Sequence, residues 1–229
     1  MGHVSRMHVV LTRELGSNDS LLGWLPEDVT TSEVPLTTTR FYDTEEVLLE
    51  LHANERFGSY RALVVTSARS ALYVALARSA LAEGGRVVSV GTATAKALEN
   101  DDVESDVVGN GGALDIVGDI DEGPVLILGA ANMRPELASA LESRGVAVTK
   151  LTCYETLPAV LSDNDEVELR RADVLFIGAP SAWLVAKAFV SETTWVVVPG
   201  TTTASSVRRE HSRVIEGWGP ELREHLRAL

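Results

Sequence analysis

Apolar positions come in short runs, each followed by small polar residues and then by a stretch of helical spacing. His8 to Leu11 predicts a buried strand ending at Thr12-Arg13. Asn18 or Asp19 stands where a cap belongs for a helix carrying Leu21, Leu22 and Leu25, which Pro26 ends. Val29 to Leu36 reads as extended, with Pro35 interrupting further pairing. Asp43-Thr-Glu-Glu46 is a capping-type start for a helix with Val47, Leu48 and Leu51 on one face. Arg61 to Val65 predicts a strand, Ser67 or Ser70 opens the next helix, and Gly84-Gly85 stops it.

The alternation continues to the end of the chain. Strands are expected at Val87–Val90, Val103–Val108, Pro124–Leu128, Val146–Leu151, Val174–Ile177, Trp195–Val198 and Val214–Ile215. Helices are expected from Thr92 or Thr94 to about Asn100, and around Leu114, Ile116 and Val117. Another is expected from an Asn132 cap to Arg144, with Pro135 in its first turn and Gly145 as its stop. The last are expected at Asp163–Arg171, Ser181–Val190, Thr202–Arg209 and Pro220–Leu229. Strand-helix alternation of this kind predicts parallel sheets with helices on both faces. About ten strands are too many for one sheet at this length and suit two sheets of five.

The pattern also repeats. Ala62 to Ala71 and Ala172 to Ala182 each read as an apolar run, a small-residue turn and a helix start. Val90-Gly-Thr-Ala-Thr-Ala95 follows the first and Pro199-Gly-Thr-Thr-Thr-Ala204 the second. Two similar lobes are therefore expected, with a ligand between them meeting the same kind of turn from both sides. Residues 42–151 complete one lobe, and residues 1–37 with 157–229 build a discontinuous second one. Crossings at about 36–42 and 151–157 form the hinge.

Composition narrows the function. The 229 residues carry a formal net charge of -13, which argues against a nucleic-acid or anionic-membrane partner. Hydrophobic residues make up 45% and aromatics 5%, which suits an Ala- and Val-rich α/β core rather than a base-stacking module. The lone Cys153 excludes a disulfide framework and a multi-cysteine metal site, and fits a reducing cytoplasm. The polar start, Met1 to Met7, does not read as a signal peptide, and no apolar run approaches the ~18 residues that span a bilayer.

The candidate chemistry lies at the carboxyl ends of the strands, where open α/β sheets bind ligands. Those positions are Thr12-Arg13, Thr66-Ser67, Gly91 to Thr94, Gly129 to Asn132, Gly178 to Ser181 and Gly200 to Thr203. Small-residue turns expose backbone N–H groups, and with helix N-termini they make carboxylate or phosphate sites. Ser and Thr are equally good plain caps, and that reading stays open. No nucleotide motif and no nucleophile elbow is present. His3, His8, His52, His211 and His225 show no ligand spacing, so no metal is expected. Tyr154 falls in the expected hinge, beside the cleft rather than in a lobe core, where a phenol can donate a proton to a leaving hydroxyl. On an extended linker Cys153 points the other way, as a buried small hydrophobe.

Taken in order, these segments resemble the uroporphyrinogen-III synthase family over essentially the whole chain. The set is Val10-Leu-Thr-Arg13, Val34-Pro-Leu36, Thr66-Ser67, Val90-Gly-x-x-Thr-Ala95, Arg134 with Leu137 and Leu141 before Gly145, Tyr154-Glu-Thr, Pro180-Ser-Ala182 and Gly200-x-Thr-Thr-Ala204. The resemblance implies two flavodoxin-like lobes, each a five-stranded parallel sheet with helices on both faces, joined by a two-stranded linker. It implies a cyclising hydro-lyase of heme biosynthesis. The enzyme takes a linear hydroxymethylbilane, expels water, closes the macrocycle and inverts the last pyrrole ring, with no cofactor or metal. Tyr154 is then the residue assisting departure of the hydroxyl. The polycarboxylate tetrapyrrole is held by Thr12, Arg13, Thr66, Ser67, Gly91, Thr94, Arg134, Ser181, Gly200, Thr202 and Thr203. A cytoplasmic monomer is expected. Two features depart from the family: Glu14 follows Arg13 where proline is usual, and Gly178-Ala-Pro-Ser181 lacks two hydroxyls. A binding or regulatory protein on the same scaffold is the alternative.

Overall fold

In chain order the elements are β1 (His8–Leu11), α1 (Asp19–Leu22), β2 (Thr30–Glu33), β3 (Thr37–Phe41), α2 (Thr44–His52) and β4 (Tyr60–Val65). Two 3-10 turns, Ala68–Tyr73 and Arg78–Ala80, flank α3 (Val74–Ala77). Then come β5 (Leu81–Ser89), α4 (Thr92–Glu99), β6 (Val107–Val108), a 3-10 turn at Val117–Asp119, β7 (Val125–Ala130), α5 (Glu136–Ser143) and β8 (Val148–Pro158). The chain ends with α6 (Asp163–Arg170), β9 (Val174–Phe176), α7 (Pro180–Ala186), β10 (Trp195–Val198), α8 (Thr201–Val207), β11 (Val214–Glu216) and α9 (Leu222–Arg227). The computed structural model describes residues 6–229, so His3 and most of the polar start lie outside the described residues. By contacts the chain divides into two units, Met1–Thr38 with Leu157–Leu229, and Thr39–Thr156.

The first unit holds a five-stranded sheet in the order β11-β10-β9-β1-β2, all neighbours parallel. Alternation along each strand sends side chains to two cores. Val9, Leu11, Val174, Phe176 and Val197 pack on one side with Leu21 of α1 and with Leu222 and Leu226 of α9. Val10, Leu175, Val196 and Val198 pack on the other with Leu169 of α6, Trp183 and Ala186 of α7, and Ala204 and Val207 of α8. Burial on both faces is why these strands are written as unbroken apolar runs.

The second sheet has the order β3-β8-β7-β4-β5-β6. Strands β8, β7, β4, β5 and β6 are parallel. The Tyr42 N–H donates to the Cys153 carbonyl and the Ala159 N–H to the Leu36 carbonyl, so β3 runs antiparallel to β8. Arg40 of β3 also pairs with Glu155 of β8. Leu63, Val65, Leu126 and Leu128 face α2, α3 and α4 in one core, while Ala62, Val64, Val125 and Ile127 face α5 and Ile116 in the other.

The sequence led to two five-stranded sheets, but the second has six strands. The linker segment β3 adds to the edge of β8, which is 11 residues long and would otherwise leave a row of unpaired backbone groups. Other local expectations also change. Gly84-Gly85 does not stop a helix. The helical turns end at Ala80, and the chain loops out between the Tyr60–Leu81 and Ala62–Arg86 pairings, with Gly84 at φ +74° inside that loop. Asn132 is not a cap, because α5 starts at Glu136 with Pro135 before it. The segment around Leu114 to Val117 yields only the turn Val117–Asp119. Asn18 precedes α1 but makes no cap bond; its amide donates to Glu33 Oε1 at 2.8 Å, and α1 is one turn long. Asp43 does cap α2, accepting from the Glu45 N–H at 2.8 Å.

Candidate functional site

In a parallel sheet, loops part wherever neighbouring strands send their following helices to opposite faces, and the crevice above the carboxyl ends at that point is where ligands bind. Each unit has such a switch point. In the first, β1 leads to α1 on the Leu11 side, while its neighbour β9 leads to α7 on the Val10 side. In the second, β4 leads to the helical turns of 68–77 on the Leu63 side, while its neighbour β7 leads to α5 on the Ala62 side.

At the second unit's switch point, Thr66 follows β4, and its N–H and its hydroxyl both donate to the Leu128 carbonyl of β7, at 3.2 and 2.8 Å. That hydroxyl has one proton, and the proton is committed. Ser67 Oγ accepts the Arg69 N–H at 3.3 Å and opens the 3-10 turn. Gly91 precedes α4, and a Cβ there would lie 3.1 Å from Gly111 Cα, so the Gly109–Gly112 segment closes over the end of β5. Thr94 is buried in the first turn of α4, and Arg134 is exposed in the turn before α5.

Tyr154 does not lie outside the core. It is 6% exposed and belongs to the same core as Leu63 and Leu128. Its ring sits 6.2 Å from that of Phe41, and the Arg69 guanidinium lies 5.9 Å from its centroid. A bulge explains the placement. Gly129 pairs with Thr152 but Ala130 pairs with Tyr154, so Cys153 is an extra residue and the strict alternation is lost. Cys153 and Tyr154 therefore enter one core instead of opposite faces. Burial pushes the Cys153 thiol up to about 12, so it stays protonated and is no nucleophile.

At the first unit's switch point, the Thr12 hydroxyl donates to the Phe176 carbonyl of β9. The stem of Arg13 and the indole of Trp218 flank Gly178. A Cβ on Gly178 would lie 3.5 Å from Trp218 Cη2 and 4.0 Å from Arg13 Cγ. Ser181 is exposed in the first turn of α7. Gly200 precedes α8, Thr202 is exposed and Thr203 is buried. Thr201 and Arg208 hold Glu216 at 2.7 and 2.9 Å, and these two bonds lower its carboxyl below the usual range.

A family model described as uroporphyrinogen-III synthase HemD matches residues 27–215. The chain belongs to the uroporphyrinogen-III synthase family. No match was found among curated proteins. Among solved structures, uroporphyrinogen-III synthetase from Helicobacter pylori is similar at TM-score 0.64 and 17% identity, over 97% of this chain and 98% of that one. A mutant uroporphyrinogen III synthase from the extremely thermophilic bacterium Thermus thermophilus is similar at TM-score 0.62 and 15% identity, over 97% of this chain and 96% of that one. At these identities the two structures speak to the fold.

The family's reaction is a cyclisation of a tetrapyrrole in heme biosynthesis. Among the described residues no helix is long and apolar enough to cross a membrane. Two side chains at the strand ends of this family member were missed in the sequence. Arg69 could have been found as the one cation in the Thr66 turn. Trp218 offered only its place two residues past a strand. His8, which showed no metal-ligand spacing in the sequence, contacts Glu168 Oε2 at 3.0 Å and Thr30 Oγ1 at 3.1 Å. These bonds lie at the amino end of β1, away from the switch point.

Proposed function

We propose that this chain acts as a uroporphyrinogen-III synthase, with Tyr154 assisting loss of the hydroxyl and the strand-end turns holding the carboxylates of hydroxymethylbilane. The observation that carries the reading is the family match over residues 27–215. The geometry supports a division of labour. The Thr12 and Thr66 hydroxyls brace the switch-point strands, so their part is positioning. Donors for the substrate come from Ser67, Thr94, Ser181, Thr202 and Thr203, from the guanidinium groups of Arg13 and Arg134, and from backbone N–H groups following Gly91 and Gly200. Such local donors let a chain of net charge -13 bind a polyanion. The reaction is read as needing no cofactor or metal, and the protein as a cytoplasmic monomer without nucleic-acid or membrane partners.

The flavodoxin-like reading of the lobes, residues 1–37 with 157–229 and residues 42–151, is best supported in the first. Numbered within their unit, its strands run 2-1-3-4-5, the flavodoxin order. The parallel strands of the second run 3-2-1-4-5, an order of the same doubly wound class.

The test is to incubate purified protein with hydroxymethylbilane, oxidise the products and separate the isomers. The inverted isomer is expected in excess. The uninverted isomer alone, at the spontaneous rate, overturns the enzyme and leaves the binding protein.

A further inference from the structure

The Gly178-Ala179 turn, like Gly129 to Asn132 after β7, carries no hydroxyl, and it stands at the first unit's switch point. The structure fills that gap with an aromatic ring. Trp218 follows β11 after Gly217, which at φ +110° turns the chain in a way few side chains allow. The indole lies tilted 6.0 Å from the Phe176 ring, and its Nε1 is buried, so the benzo edge points over Gly178. Trp218 as a whole is only half-buried. A Cβ at 178 would be in ordinary van der Waals contact with Cη2, at 3.5 Å, so the ring edge lies directly against this turn. On the other flank the aliphatic stem of Arg13 reaches within 4.0 Å of the same Cβ position. The cavity beside Trp218, about 270 Å³, has Glu216 and Glu221 in its wall, which disfavours an acidic group there.

We propose that Trp218, Gly178 and the stem of Arg13 form an apolar shelf that takes the flat face of one pyrrole ring, whose acidic side chain reaches the Arg13 guanidinium. The inference rests on the proposed synthase activity and says how one wall of that site reads its substrate. An aromatic ring offers a heterocycle a stacking face that hydroxyls cannot. Trp218 lies beyond residues 27–215, so the family match does not reach it. The shelf is a binding feature: it acts on the ground-state and transition-state complexes alike, and its loss reads out in KM.

The experiment measures initial rates of inverted-isomer formation against hydroxymethylbilane concentration for wild type, Trp218→Phe, Trp218→Leu and Trp218→Ala, with melting curves for each. Loss of the ring in the Leu and Ala variants is expected to raise KM about three- to tenfold, with kcat within about twofold. Trp218→Phe keeps a flat face and is expected to stay close to wild type. A folded Leu variant with unchanged KM overturns the shelf. So does an equal rise in Phe and Leu, or a fall in melting temperature and kcat at constant KM, which marks a purely structural ring. A wild-type chain that makes no inverted isomer sinks the proposed function and the shelf with it. Normal inversion with unmoved KM sinks the shelf alone.

Discussion

Tyr154→Phe separates chemistry from fold because of where the ring sits. At 6% exposure its packing against Phe41 and beneath Arg69 is ring packing, and phenylalanine keeps all of it. The backbone bond from the Ala131 N–H to the Tyr154 carbonyl, 2.8 Å, is untouched. Removing one hydroxyl costs at most an ordinary hydrogen bond, about 0.5–1.5 kcal/mol of stability, or a few degrees in melting temperature. A phenol that protonates the departing hydroxyl contributes about 10²–10⁴ in rate, equivalent to about 3–5 kcal/mol in the barrier. The catalytic effect is the larger, and it falls on a different readout. In the isomer assay the Phe variant should turn over at least about a hundredfold more slowly, and the uninverted product should rise as spontaneous cyclisation overtakes the enzyme. Tyr154→Ala would not serve, since emptying this core position costs about 3–5 kcal/mol and confounds the two effects. A well-folded Phe variant within about threefold of wild type refutes the role given to Tyr154.

Cys153 makes a prediction about pH. Its folded thiol titrates at about 12 against 9.0 for an unperturbed thiol, so the unfolded chain loses a proton first, and this contribution to stability is full below about pH 9 and lost as pH rises towards 12. Urea midpoints should fall less steeply over that window in Cys153→Ala than in wild type, and parallel curves would refute the burial argument; comparing slopes removes most of the background from Tyr73, also raised, chiefly by burial. Gly109→Ala should lower the melting temperature at a cost of about 1–3 kcal/mol, because the new Cβ would lie 2.6 Å from Ile116 Cγ2 and 2.6 Å from the Val90 carbonyl oxygen. An unchanged melt would show that the Gly109–Gly112 segment yields freely.

The strands were legible because a parallel sheet buries both faces, and Val9–Leu11, Leu63–Val65 and Val196–Val198 are apolar without a break. The small-residue turns were legible for the same reason, since they follow those runs directly. What sequence could not supply depends on which strand lies next door. The Thr12 hydroxyl is spent on Phe176, 164 residues away, and the Thr66 hydroxyl on Leu128, 62 residues away. Trp218 comes to lie against Gly178, and Tyr154 changes face because of one bulged residue. The repeat is the sharpest case. By sequence the run before Thr66 matches the run before Gly178, which equates β4 with β9. By topology β4 stands where β1 does, as the first strand at its switch point, with β9 and β7 as the strands across from them. The equivalent residues are then Thr12 and Thr66, each donating to a carbonyl of the strand across the switch. A hydroxyl in that bond cannot also greet a carboxylate, so each pair of strands is held in register at the point where a ligand would pry the loops apart. The Thr12 and Thr66 hydroxyls thus serve the scaffold, and the donors proposed for the substrate are the remaining turn hydroxyls, the backbone N–H groups and the arginines.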